Sequence, residues 1–83
     1  MIVLNRYRMA LAFGAVLRTA RQEKGISQEQ LAALGGFDRT YPSLLERGLR
    51  TPTLTVLFRL ADSLGVSAHA LVQETAERLR TGV

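Results

Sequence analysis

The side chains with chemistry to offer in this chain are mostly arginines. Ten of the eleven basic residues are arginine, and only Lys24 is lysine. A guanidinium presents a planar fork that grips a phosphate or a guanine edge with two hydrogen bonds. Placement says more than number. Residues 1–50 carry eight basic and four acidic side chains, whereas residues 51–83 carry three of each, so the formal charge of +4 belongs to the first part. A one-sided surplus of this kind suits a polyanionic partner, and it equally suits a soluble basic surface. Within that part Arg39 opens the run Arg39-Thr40-Tyr41, with Ser43 and Leu44 just beyond.

Nothing comparable is laid out for catalysis. His69 is the only histidine, cysteine is absent, and no carboxylates cluster. A histidine without partners reads as a surface residue, not as a metal ligand. Gly35–Gly36 lacks the lysine and the spacing of a phosphate-binding loop. No enzyme activity, cofactor or metal is expected. The absence of cysteine excludes disulfides and thiolate metal sites and suits a reducing cytoplasm. No run approaches the roughly 18 apolar residues of a membrane span. Arg6 and Arg8 interrupt the apolar start, against a signal peptide. Eighty-three residues make one small domain, whose core needs good helix packing or a partner subunit.

The elements that must position Arg39 announce themselves through their caps. Ser27 is placed to cap a helix over Gln28–Leu34, and Gln30 completes a capping box. Ile26 and Leu31 form the apolar staple around that cap. Gly35 and Gly36 end the helix. Asp38 is placed to cap a third helix over Arg39–Arg47, with Arg39, Thr40 and Tyr41 as its first turn and Gly48 just past its end. Two short helices joined by a tight glycine turn make a helix-turn-helix, whose second helix enters a DNA major groove. Pro42 is the local conflict. At the fourth helical position it lacks the N–H that would bond the Asp38 carbonyl, which predicts a loosened or tightened first turn. Phe37 and Pro42 occupy the two staple positions of this helix.

Around this centre the pattern predicts three more helices. The first runs from about Tyr7 to Lys24, with Phe13, Leu17 and Ala20 as its buried stripe and Gly25 as its end. Leu11 and Val16 lie off that stripe, to face a second subunit or stay half-exposed. Ile2, Val3 and Leu4 fit a short strand, a helix start or an arm, and Met9 is a second candidate start codon. Thr51 or Thr53 caps the fourth helix, Pro52 suits its beginning, Leu54, Leu57, Leu60, Ala61 and Leu64 share one face, and Gly65 stops it. Ser67 caps a fifth helix reaching about Arg80, flanked by Val66 and Leu71 as a staple. Its stripe of Val72, Ala76 and Leu79 covers the core or pairs with another copy. Thr81, Gly82 and Val83 are expected to fray. The organisation is an extension and helix start at 1–12, a helix-turn-helix domain at 13–72, and a helix end and tail at 73–83.

The segments ARQEKGISQEQLA, RTYPSLLERG and LADSLGVS, with the glycine turn and the proline-threonine loop between them, resemble the phage repressor and Cro type of helix-turn-helix domain, the XRE family. The likeness spans about residues 13–72. It implies an all-α, five-helix fold that binds operator DNA as a two-fold dimer. It implies that Arg21 and Glu46 form a buried ion pair joining the first and third helices, and that Gln28 contacts a phosphate. It places Arg39, Thr40, Ser43 and Leu44 toward DNA. The FDRTY segment and the short length look most like the controller proteins of restriction–modification systems, with small phage-type and chromosomal regulators as other hosts. Pro42 departs from the usual Ile or Val, Leu44 from a polar or basic residue, and Leu34 from a polar one. Leu44 suits a thymine methyl better than a polar base contact.

The expected function is a sequence-specific, double-stranded DNA-binding transcriptional regulator acting as a homodimer on a palindromic operator. Arg39 can read guanine, or else contact phosphate or solvent. Thr40 can meet a base edge, or act as a cap or phosphate contact. Tyr41 can lie on a base or the backbone, or pack its ring on the domain. Gln28, Ser43, Arg50 and Arg18 are candidate phosphate contacts, with solvated side chains the alternative for Arg18 and Arg50. Val72, Ala76 and Leu79, or the apolar N-terminal segment, would form the dimer surface. Covering a promoter would repress and touching RNA polymerase would activate. The competing reading is an antitoxin-like module that neutralises a toxin or other protein through its apolar N-terminal or C-terminal stripe, with Leu34, Leu44, Leu11 and Val16 as the exposed apolar surface this needs.

Overall fold

The computed structural model describes residues 5–82. The apolar start Ile2, Val3 and Leu4 and the terminal Val83 lie outside the described residues. The elements are α1 (Arg6–Lys24), α2 (Gln28–Gly35), α3 (Tyr41–Glu46), α4 (Leu54–Leu64) and α5 (Ala68–Thr81). No strand occurs among the described residues, so the expected all-α, five-helix architecture holds.

Side-chain oxygens set where four of these helices begin. Asn5 Oδ1 accepts from the amides of Tyr7 and Arg8, which starts α1 one residue before the predicted Tyr7. Ser27 and Gln30 form the full capping box at α2. Thr53, not Thr51, caps α4 through the Val56 amide, and Ser67 caps α5 through the Ala70 amide. At the other end, α2 runs one residue past Leu34. Gly36 then takes the left-handed φ of 69° that turns the chain toward α3.

The third helix departs from the expected span. It covers Tyr41–Glu46 instead of Arg39–Arg47, and Arg39 and Thr40 belong to the preceding turn. Asp38 does not cap it. Its carboxylate instead accepts from the Thr40 amide at 2.9 Å and the Thr40 hydroxyl at 2.6 Å. Its carbonyl accepts from the Tyr41 amide at 3.0 Å, a tightened turn. Pro42 explains the shift. By delaying the helix two residues, the chain puts proline at the second helical position, where an N–H has no intrahelical acceptor. No backbone bond is lost, and the ring is fully buried.

The core collects Phe13, Val16 and Leu17 from α1, Leu31 from α2, Leu45 from α3, Leu57, Leu60, Ala61 and Leu64 from α4, and Leu71 from α5. Leu17, Leu31, Leu45, Leu60 and Leu71 are almost wholly enclosed. Truncating any of them to alanine removes about 2–5 kcal/mol. Two expectations need correction. Val16 is a core residue, 3% exposed, because α1 is covered on a wide arc by both α3 and α5. Leu54 is 69% exposed, because the first turn of α4 extends past the core and borders an open groove.

Helix α1 is the hub, packed on α3 and α5, while α2 packs on α3 and α4. Gly14 lets α1 and α3 touch backbone to backbone: a Cβ there would stand 2.5 Å from the Leu45 carbonyl oxygen. Arg8 Nη2 donates to the Leu79 carbonyl at 3.3 Å and joins α1 to the end of α5. Thr75 is buried among these contacts, and its hydroxyl donates to the Leu71 carbonyl at 2.8 Å. No single helix among the described residues is long and apolar enough to cross a membrane.

Candidate nucleic-acid interface

Helix α3 is only six residues long, too short to hold itself in place. Its inward face does that work. Pro42 and Leu45 are buried against the core, and Glu46 accepts two parallel bonds from Arg21 on α1, from Nε at 2.6 Å and Nη2 at 3.0 Å. The side chains are 13% and 3% exposed. The bonds to Glu46 are also the main reason that the Arg21 guanidinium holds its proton more tightly than usual. The expected ion pair is therefore present, and it is larger than expected. Arg21 Nη1 donates to the Ile26 carbonyl at 2.8 Å, and Gln28 Nε2 donates to Glu46 at 3.1 Å. One cluster thus fixes α1, the beginning of α2 and the end of α3.

The outward face is offered by the turn before α3 and by the helix itself. Arg39 has an 80% exposed side chain, with Glu29 of α2 its nearest ionic neighbour at 4.0 Å. Thr40 is exposed beside it, its hydroxyl donated to Asp38. That bond and the Thr40 amide bond hold the Asp38 carboxyl below its usual 3.8. Ser43 and Leu44 are half-buried on the same short helix. Arg50 is exposed in the following loop, and Arg18 is exposed on α1. Gln28 is half-buried, with one amide hydrogen directed at Glu46.

Tyr41 is half-buried and packs its ring on the domain. Its ring stands 5.6 Å from that of Phe37 in a tilted pair. Phe37 in turn lies under the Arg59 guanidinium of α4, 4.5 Å away. Sequence reasoning passed over Arg59, which is 22 residues beyond Phe37 with no motif to join them. It also passed over Arg47, whose Nε donates weakly to the Ser43 carbonyl at 3.4 Å.

A helix-turn-helix family model matches residues 17–71, well over half of the chain. The chain belongs to the XRE-type helix-turn-helix family. It is a transcriptional regulator with a helix-turn-helix DNA-binding fold. The HTH-type transcriptional regulator y4dJ of Sinorhizobium fredii is 47% identical over 64 residues, covering 77% of this chain and 83% of that protein. The restriction-modification controller protein C.AhdI from Aeromonas hydrophila superposes with a TM-score of 0.78 at 40% identity, over 82% of this chain and 99% of that one. The clp gene regulator ClgR from Corynebacterium glutamicum gives a TM-score of 0.85 at 28% identity, over 99% of this chain and 83% of that one. In the terms of this family, α2 and α3 are the helix-turn-helix pair and α3 is its second helix.

On the far side of the helices, Val72 and Ala76 are exposed and Leu79 is half-buried. Together with Met9, Phe13, Pro52, Leu54 and Leu57 they line an apolar groove of about 410 Å³ between α1, α4 and α5.

Proposed function

We propose that the protein binds operator DNA as a homodimer, with one α3 in each of two major-groove half-sites about 34 Å apart on a palindrome. It acts by binding, with no chemical step of its own. The observation that carries this reading is the exposed Arg39–Thr40 pair at the head of a helix whose opposite face is clamped to the core. Arg39 reads guanine, Thr40 and Tyr41 meet neighbouring bases or sugar, and Leu44 meets a thymine methyl. Ser43, Arg50, Arg18 and the second amide hydrogen of Gln28 hold phosphates and set the register. The apolar groove beside Val72, Ala76 and Leu79 favours dimerisation, since a second copy would remove the exposed Leu54 and Val72 from water.

The test is selection of bound duplexes from a random pool, followed by binding titrations at several salt concentrations. Enrichment of a palindrome and a steep fall of affinity with salt are expected. A pool with no enriched palindrome ends the operator reading, and a salt-independent affinity ends the docking geometry.

Exposed apolar side chains outside that groove favour a second reading, an antitoxin-like subunit that covers them with a different protein. Its proposed surface loses Val16, which is in the core, and keeps Leu34, Leu44 and Leu11. It leaves the exposure of Arg39 without a role. Equilibrium sedimentation of the protein alone separates the readings: a self-dimer supports the first, a monomer the second.

A further inference from the structure

The turn that carries Arg39 and Thr40 has little holding it from within. Gly36 and Phe37 close α2 through their amides, and Asp38 ties down Thr40. The last carbonyls of a helix otherwise lack partners. Here one side chain from outside the helix-turn-helix supplies them. Arg59 Nη2, on α4, donates to the Gly35 carbonyl and to the Gly36 carbonyl, the latter at 3.1 Å. The carbon of the same guanidinium lies over the Phe37 ring, 4.5 Å from its centroid and within cation–π range. Phe37 also packs closely on the end of α2. Its ring covers Gly35 so closely that a Cβ on Gly35 would stand 2.2 Å from it. The chain of contact continues from Phe37 to Tyr41, the first residue of α3.

We propose that Arg59 is a positioning residue for DNA reading: by bonding the Gly35 and Gly36 carbonyls and holding its charge over the Phe37 ring, it fixes the turn that aims Arg39, Thr40 and Tyr41. The inference deepens the proposed DNA reading and rests on it for its functional half. Three features suit arginine to this place. It is a cation at a helix C-terminus, where the dipole favours one. Its Nη2 amino group offers two hydrogens to two adjacent carbonyls, while the rest of the guanidinium stays over the Phe37 ring. Its face stacks on an aromatic ring, which an ammonium group does only as a point charge. Arginine therefore joins a backbone clamp to an aromatic relay, and lysine in its place keeps the charge but loses the planar group that reaches the carbonyls and the ring together.

Two measurements on Arg59→Lys and Arg59→Gln test this, with Phe37→Leu as a variant that removes the ring and leaves the carbonyl bonds. Both are made at a temperature where melting curves show the variant fully folded. The first is amide hydrogen exchange of the free protein. Faster exchange at Phe37 and Tyr41 is expected in both Arg59 variants, with α1 and α5 unchanged. Unchanged protection in the turn overturns the proposal, whatever the protein binds. The second is affinity for the selected site and for a random duplex. The cognate-to-random ratio is expected to fall about tenfold in both Arg59 variants, the loss of roughly one base contact, with random binding and its salt slope unaltered. Phe37→Leu is expected to lower the ratio by a smaller factor. If lysine restores wild-type binding while glutamine weakens cognate and random DNA alike, Arg59 is a phosphate contact and the proposal is overturned. If the wild-type protein enriches no site, the operator reading fails by itself, and hydrogen exchange alone decides the fate of the Arg59 clamp.

Discussion

Glu46 accepts both parallel bonds of the Arg21 fork, and the oxygen that takes Nη2 at 3.0 Å also takes Gln28 Nε2 at 3.1 Å. Three helices therefore meet on one carboxylate that is 3% exposed. Replacing Glu46 with alanine leaves the Arg21 guanidinium enclosed without its counter-charge. The expected loss is about 3–5 kcal/mol, typical of breaking one side of a buried pair. Urea unfolding followed by circular dichroism measures it. A Glu46→Ala variant as stable as wild type would show that the pair contributes nothing to the fold.

Arg39 should behave in the opposite way. Its side chain stands 80% exposed, so Arg39→Ala is expected to fold normally. On the selected operator it should lose about 1–3 kcal/mol of binding and tolerate any base at one position. Parallel losses on operator and random DNA would make Arg39 a phosphate contact instead.

Gly14→Ala tests the backbone contact between α1 and α3. In an exposed helix interior this change stabilises by up to about 1 kcal/mol. Here the new methyl would stand 2.5 Å from the Leu45 carbonyl oxygen and 2.6 Å from that of Glu46. Backbone cannot swing aside as a flexible side chain can, so a net destabilisation of about 1–3 kcal/mol is expected. A higher melting temperature for the variant would refute the close packing.

Val72→Asp separates dimer from monomer. Val72 is 51% exposed in the single chain, so the substitution should change monomer stability by no more than about 0.5 kcal/mol. A charge placed on the apolar groove should abolish self-association in sedimentation runs. An undisturbed dimer would move the dimer surface elsewhere.

Acid should loosen the reading turn through Asp38. The Thr40 hydroxyl and amide bonds favour its ionised form and lower its folded pKa below 3.8. A lowered folded pKa means that the interaction is complete above 3.8 and disappears as pH falls through the lower folded value. A carbon-detected titration of the Asp38 carboxyl should give a midpoint under 3.8, and the Thr40 amide should shift with it. A midpoint at or above 3.8 would contradict the hydrogen bonds.

Local chemistry made much of this fold readable. A serine three residues before a glutamine, as at Ser27 and Gln30, contains its own hydrogen-bond plan, and the structure follows it. The stop glycines 25, 36 and 65 work the same way, because each satisfies a local backbone requirement. Pro42 was readable as a conflict but not as an outcome. The chain resolves it by sliding the helix start from Arg39 to Tyr41, and only tertiary packing of the proline ring decides how far to slide. Val16 and Leu54 show a second limit. Helical periodicity gives the direction of a side chain, but burial depends on whether another helix lies in that direction. Two helices flank α1 and cover Val16, while the first turn of α4 overhangs and exposes Leu54. Of the site, the Arg21–Glu46 pair came only through likeness to a family. Arg59 came not at all, since its partners at Gly35, Gly36 and Phe37 are distant in sequence and two of them are backbone carbonyls.

The inward and outward sides of α3 and the turn before it use different residues. Pro42, Leu45 and Glu46 hold the helix to the domain, whereas Arg39, Thr40, Ser43 and Leu44 are the ones offered outward. Neither set has to change when the other does. Under the proposed DNA reading, descendants of such a gene acquire new addresses in a genome by altering the outward set, while the inherited scaffold continues to fold. An engineer can use the same separation, treating the outward residues as an exchangeable label on a fixed holder.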